Sequence, residues 1–180
     1  MKTKRRTVAL LPGSGLKWLV YGLLTLCVML MQMAPRFFPV VAGARPVPLV
    51  LLVVCVALFE GARMGAGIGL LAGLLWDVYV FRPFGFDALI LMVVGLMVGL
   101  LVQWLLRANF LAAMLLSIGS VLAQSLLEWI CCYLLFRKEQ MWQILVKVYL
   151  PNALYTVLLA PLMFWLILWI ARLLRRRTNG

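Results

Sequence analysis

Long apolar runs, separated by short breaks rich in polar residues, glycine or proline, make up most of this chain. The runs cover residues 16–33, 47–59, 64–80, 86–106, 110–136 and 150–171. A helix needs about 20 apolar residues to cross about 30 Å of hydrocarbon, and four of the runs approach or exceed that length. The pattern therefore predicts an all-α polytopic membrane protein in which the second and third runs are short.

The segment Glu60–Arg63 determines how many times the chain crosses the membrane. It is either a turn between two short spans or the middle of one long helix that buries its charges. Basic residues cluster at both ends of the chain, from Lys2 to Lys17 and from Arg172 to Arg177, and such clusters stay in the cytoplasm. Two cytoplasmic termini require an even number of spans, so we predict six transmembrane helices. The expected divisions are a basic N-terminus at 1–15, the membrane domain at 16–171 and a basic C-terminus at 172–180.

A stripe of small residues runs through the third apolar run. It consists of Gly61, Gly65, Gly69, Gly73 and Asp77, one at every fourth position. Four residues turn a helix by about 400°, so the set forms one slanting line on a helix surface. Glycine costs about 1 kcal/mol against alanine in a helix, but small residues in a membrane let two helix backbones approach closely. The stripe predicts a helix-packing face, used either within the chain or by a partner helix or a ligand.

The loop after Asp77 combines charges with many aromatic residues. Its charged and flexible positions are Arg82, Gly85 and Asp87, and its aromatic residues indicate a membrane interface. Two interpretations stay open. The loop is a local salt-bridge and capping cluster at the outer surface, or it is a docking point for an extracytoplasmic partner.

The fifth run carries a polar stripe on one helical face: Ser117, Ser120, Gln124 and Glu128. Ionisable groups inside a span are costly and face the bundle interior or water, so Glu128 is the best single candidate for a buried functional group. The alternative places Glu128 at the outer interface or in a pair with Arg137. The following residues, 138–149, show the pattern of a helix lying in that interface.

Composition narrows the class of function. Of the 180 residues 66% are hydrophobic, and the mean hydropathy of +1.10 excludes a soluble domain. The net charge of +12 comes mainly from the tails, where nine of the seventeen basic residues lie. That distribution is typical of cytoplasmic anchors that touch anionic lipid, and it argues against a nucleic-acid partner.

The chain offers little chemistry for catalysis. It contains no histidine and five carboxylates, and its four cysteines lie inside apolar runs without a metal-binding spacing. An intramembrane enzyme would need a nucleophile and a base on facing helices, whereas the two serines of the polar stripe and Glu128 share one helix. We therefore expect no enzymatic activity, no cofactor and no metal site.

Two short motifs resemble the signature of the rod shape-determining protein MreD family. They are Gly73-Leu74-Leu75-Trp76-Asp77 and Gly85-Phe86-Asp87-Ala88-Leu89, and the segment Pro151–Tyr155 is similar to that family too. The specific part of the resemblance covers roughly residues 47–89. The remainder of the chain agrees mainly in length and topology.

The resemblance implies a non-enzymatic scaffold of the bacterial cell-elongation machinery in the cytoplasmic (inner) membrane. It implies MreC as a direct partner, and MreB filaments, RodA and a class B penicillin-binding transpeptidase in the same complex, which makes peptidoglycan.

A second function is also open, that of a substrate-binding membrane subunit similar to those of energy-coupling-factor vitamin transporters. Those subunits are six-span proteins of this size, and the MreD family is thought to resemble them in fold. The polar stripe of the fifth run could line a substrate site. Against this reading, residues 16–33 lack the alanine-x-x-x-alanine face with which such subunits usually dock.

Overall fold

A computed structural model describes residues 14–34, 46–80, 85–104, 110–136 and 150–178 of the chain. These residues form six helices, which we number α1 (Ser14–Met33), α2 (Pro48–Glu60), α3 (Ala62–Val80), α4 (Phe86–Trp104), α5 (Phe110–Phe136) and α6 (Leu150–Thr178). Each apolar run corresponds to one helix, and the prediction of an all-α polytopic membrane protein is confirmed. The last helix is longer than its apolar run, since it continues through Pro161 and past residue 171.

Four of the helices are long and apolar enough to cross a membrane: Gly15–Met33, Phe86–Trp104, Phe110–Ile130 and Leu150–Leu174. The other two differ. α2 has 13 residues, which gives it a length of about 20 Å, and α3 has 19 residues that include an arginine and an aspartate. The predicted interfacial helix at 138–149 and the side chain of Arg82 lie outside the described residues.

The chain turns sharply between α2 and α3. Gly61 has a φ of +89°, a left-handed conformation that glycine adopts without steric cost. Its N–H donates to the carbonyl of Ala57, and its own carbonyl accepts from the N–H of Gly65, both at 3.0 Å. A Cβ placed on Gly65 would lie 2.9 Å from the Cα of Ala57, so α3 folds back against α2. The predicted turn at this point, and with it the choice of six helices over five, is confirmed.

α2 is the central helix of the bundle. Every residue from Pro48 to Leu58 is buried, and the helix contacts each of the other five. Its sequence is apolar on all sides, which is what a helix surrounded by other helices requires. The core of the described structure is therefore built around the shortest helix.

The first turn of α2 is capped by side chains from two neighbouring helices. The N–H of Val47, just before α2, donates to Thr156 Oγ1 at 3.0 Å, and the N–H of Leu49 donates to Gln32 Oε1 at 3.4 Å. The first N–H groups of any helix lack partners within the helix, and an unsatisfied backbone group in lipid costs several kcal/mol. These two bonds let α2 begin inside the bundle.

An ion pair fixes the other end of α2. Lys17 Nζ lies 2.7 Å from Glu60 Oε2, and the hydroxyl of Tyr21 donates to Glu60 Oε1 at 3.3 Å. The Glu60 side chain is 8% exposed and the Lys17 side chain 24%, so the pair is only partly shielded from its surroundings. It joins α1 to α2 at the turn and neutralises the charge that the turn brings into the bundle.

These contacts also define the directions of the outer helices. Lys17, near the start of α1, meets Glu60 at the end of α2, so α1 and α2 are antiparallel. Val47 and Thr156 join the starts of α2 and α6, so those two helices begin at the same end of the bundle. The start of α1 and the end of α6 consequently share the opposite end.

We expect Lys17→Met to lower the free energy of unfolding by roughly 2–4 kcal/mol, because it leaves a buried carboxylate without its cation. The double variant Lys17→Met/Glu60→Gln should recover most of that loss, since it removes both charges. Thermal unfolding in detergent measures both effects. A single variant as stable as the wild type would show that the pair is screened by solvent and contributes little.

Candidate functional site

The glycine stripe of α3 packs directly against α4. A Cβ built on Gly65, Gly69 or Gly73 would fall within 2.7 Å of the α4 backbone. The facing pairs are Gly65 with Gly95, Gly69 with Leu91, and Gly73 with Ala88. The partner number falls as the stripe number rises, so the two helices are antiparallel. Only glycine leaves room for this contact, because real Cβ atoms do not approach backbone atoms so closely.

Helix α4 contributes its own small residues to the same contact. A Cβ on Gly95 would lie 2.6 Å from the carbonyl carbon of Gly65, and one on Gly99 would lie 2.8 Å from that of Gly61. Neither of these two glycines was predicted as part of a packing face. Their spacing, Gly95-x-x-x-Gly99, is the small-residue motif that brings membrane helices together, and it could have been found.

The structure thus shows what occupies the stripe within this chain. Gly65, Gly69 and Gly73 are covered by α4, while Gly61 forms the turn before α3 and faces Gln103. Of the two uses left open by the sequence, packing within the chain is the one that the geometry describes. A partner helix would have to displace α4 to use the same face.

Asp77, the last member of the stripe, caps the helix that the stripe packs against. Its Oδ2 accepts from the N–H groups of Gly85 at 2.9 Å and Ala88 at 3.3 Å, and its Oδ1 accepts from that of Asp87 at 3.0 Å. These N–H groups lie at the start of α4, where a helix has unpaired donors and favours negative charge. Asp77 is 2% exposed, so this carboxylate is a buried structural group.

This cap explains why the motif after α3 contains glycine at position 85. Gly85 has a φ of +99°, which lets the chain turn so that the N–H groups of Gly85, Asp87 and Ala88 reach one carboxylate. Asp87 is fully buried in the first turn of α4, where the helix dipole favours its charge. The third member of the predicted loop cluster, Arg82, lies outside the described residues.

The polar stripe of α5 faces the interior. Ser117, Ser120 and Gln124 are buried, and Glu128 is half-buried. The side chains of the last two are joined, since Gln124 Nε2 donates to Glu128 Oε1 at 3.0 Å. The Gln124 and Glu128 end of this face borders a cavity.

A cavity of about 50 Å³ lies where α5 passes the starts of α2 and α6. It is lined by Val47, Val50, Val121, Gln124, Ser125, Glu128, Asn152, Ala153 and Thr156. The α6 residues were not predicted as part of a site. The hydroxyl of Thr156 donates to the carbonyl of Asn152 at 2.7 Å and accepts the N–H of Val47, so it holds this corner of the bundle together.

A comparison with the models of known protein families gives a match. The model of the family described as rod shape-determining protein MreD matches residues 13–177, which take in almost all of the six helices. No curated protein and no solved structure matches the chain. The similarity in fold to the substrate-binding subunits of energy-coupling-factor transporters therefore stays a prediction.

We expect Gly73→Ala to destabilise the protein by about 1–3 kcal/mol, because the added methyl group would push α4 away from α3. Gly119→Ala is the matched control, since a Cβ there meets nothing within 4 Å. That substitution should leave the thermal unfolding midpoint in detergent unchanged or slightly raised. Equal midpoints for both variants would contradict the direct backbone contact.

Asp77→Ala should cost roughly 3 kcal/mol or more, because it leaves three buried N–H groups at the start of α4 without an acceptor. Asp77→Asn should cost less, since the amide oxygen can still accept. The yield of folded protein and its unfolding midpoint measure the series. A stable Asp77→Ala protein that no longer supports rod shape would instead point to a role in partner docking.

Proposed function

The chain belongs to the rod shape-determining protein MreD family, and on that basis we propose that it is a non-enzymatic scaffold of the bacterial cell-elongation machinery. In this proposal it lies in the cytoplasmic membrane and binds MreC directly. It helps couple MreB filaments to peptidoglycan synthesis, in a complex that also includes RodA and a class B penicillin-binding transpeptidase. The observation that carries the proposal is a family match over nearly the whole chain.

The structural roles of the buried carboxylates support a scaffold function. Asp77 caps a helix, and Glu60 is paired with Lys17. Both of these carboxylates thus serve the fold. Such a distribution is typical of a protein that acts through its packed shape.

The outer surface supports binding to other membrane helices. α1 is the least buried of the four long apolar helices, and it exposes large side chains along its length, such as Leu19, Leu23 and Leu30. Lipid tails offer no hydrophobic drive for association, so partner helices bind such faces through close packing. We propose that MreC packs against an exposed face of this kind.

We further propose that both termini lie in the cytoplasm. The start of α1 and the end of α6 share one end of the bundle. The basic residues from Lys2 to Lys17 lie before and at the start of α1, and those from Arg172 to Arg177 lie in the last turns of α6. Basic segments next to membrane helices stay on the cytoplasmic side. With this orientation, the cavity at the starts of α2 and α6 faces the outer side of the membrane.

The size of the cavity favours the scaffold over the transporter subunit. At about 50 Å³ the cavity has room for about three or four water molecules. A whole vitamin would need a larger opening than this corner of the described structure provides.

Capture of the tagged chain from a detergent extract of membranes should recover MreC, and the chain should restore rod shape to cells depleted of their own family member. Gly119→Ala is the control and should recover MreC as well as the wild type does. We expect Gly73→Leu to lose both MreC and its folded state, because α4 fills the stripe.

Two outcomes would change the proposal. Capture of the folded wild-type chain without MreC would overturn direct binding. A Gly73→Leu protein that keeps its unfolding midpoint but loses MreC would show that the stripe itself is the partner face.

A further inference from the structure

The cavity between α2, α5 and α6 is polar where a packed membrane bundle is normally apolar. Side chains of Gln124, Ser125, Glu128, Asn152 and Thr156 contribute to its wall. Buried polar groups in lipid need hydrogen-bond partners, and a small molecule bound in the cavity would supply one.

Gln124 has one unused group. The residue is 4% exposed, and within the described part of the chain its Oε1 has no hydrogen-bond partner. Its Nε2 donates to Glu128 Oε1 at 3.0 Å. An ionised carboxylate only accepts hydrogen bonds, so it fixes the amide with Nε2 toward Glu128 and leaves Oε1 as a buried acceptor. The unused group of Gln124 is thus an acceptor that requires a donor.

Ser125 and Asn152 in the wall can donate as well as accept, and the other two polar residues, Thr156 and Glu128, add no free donor. The hydroxyl of Thr156 is already used in both directions, by the N–H of Val47 and the carbonyl of Asn152. Glu128 brings a formal negative charge, and a carboxylate has about four sites that can accept hydrogen bonds. A group that enters this cavity should therefore be small, rich in N–H or O–H donors, and positive rather than negative.

We propose that the cavity binds a primary ammonium group, with Gln124 Oε1 and the Glu128 carboxylate as its acceptors. An ammonium group has three donors, and together with one or two methylene groups it fits a volume of about 50 Å³. This inference goes beyond the scaffold function and does not depend on it. Two sources share the chemistry: the ethanolamine headgroup of a membrane lipid and a free small amine.

The surroundings of the cavity make a lipid headgroup accessible. The helices that form its wall expose large apolar side chains on their other faces, among them Leu122 and Leu126 of α5 and Leu154 and Leu158 of α6. Acyl chains can lie on those faces while the headgroup reaches the polar corner at the start of α6. The cavity borders a helix end, which is where headgroups meet a membrane protein.

Titration of the purified full-length chain with two lysolipids tests the proposal. Lysophosphatidylethanolamine and lysophosphatidylcholine with the same acyl chain differ only in three methyl groups on nitrogen, which remove every N–H donor. We expect the ethanolamine lipid to raise the thermal unfolding midpoint and to bind at least about tenfold more tightly than the choline lipid. Free ethanolamine, added alone, distinguishes the sources: protection by it at similar concentration identifies a free amine as the ligand.

Variants of the cavity wall test whether the ethanolamine lipid binds in the cavity. Gln124→Met keeps the size of the side chain and removes the acceptor, and Glu128→Gln removes the charge; each should weaken binding of the ethanolamine lipid about tenfold. Gln103→Met is the matched control, since Gln103 is exposed on α4 beside Gly61, at the other end of the bundle.

Equal binding of the two lysolipids by the wild-type chain, with no effect of ethanolamine, would mean that the cavity holds water only and would overturn the proposal. This comparison needs no variant, so it decides the question even if Gln124→Met does not fold. Recovery of MreC is measured separately, and its failure would leave this result unaffected.

Discussion

The structure depends on the direct contact between the backbones of α3 and α4. Water gives apolar side chains a reason to associate, but lipid does not, so two membrane helices stay together through close packing and hydrogen bonds. Glycines at positions 65, 69 and 73 let α4 approach until backbone atoms touch. Asp77 then accepts hydrogen bonds from the N–H groups at the start of the same helix, which have no partner within it. The glycine stripe and the Asp77 cap therefore act together to hold α4 against α3. The hydrogen bonds of the cap join the two motifs that resemble the family signature.

This pair of helices makes it possible to bury α2 completely. α3 folds back on α2 at Gly61, α4 follows α3, and α1, α5 and α6 cover the remaining sides. A helix in that position must be apolar all round and must have its ends satisfied by neighbours. Thr156 and Gln32 satisfy the start, and Lys17 pairs with Glu60 at the end. The polar groups that hold the bundle together thus lie at the ends of its innermost helix, and the apolar outer faces stay available to lipid and to partner helices.

The helices could be predicted because each apolar run is bounded by residues that interrupt a membrane helix. The turn at Gly61 also followed from sequence, since basic tails at both ends require an even number of spans. The neighbour of the glycine stripe could not be predicted, because the spacing of glycines indicates a close approach without identifying the helix that approaches. The role of Asp77 depends on where the loop returns the chain eight residues later. The cavity depends on α2, α5 and α6, whose contributing residues extend from Val47 to Thr156, 109 positions apart, and no local pattern relates them.

The polar corner of the bundle differs from the buried sites of Asp77 and Glu60. Asp77 and Glu60 have partners that account for their burial, whereas the amide oxygen of Gln124 has none in the part of the chain described. Leaving a buried acceptor unsatisfied costs about 1–3 kcal/mol, and an apolar side chain of similar size would avoid that cost. The cost is offset if a donor from outside the chain enters the adjacent space. Such a group would touch α5 beside the point where Thr156 joins α6 to the start of α2, so its presence would stabilise the arrangement of three helices on which the central helix depends.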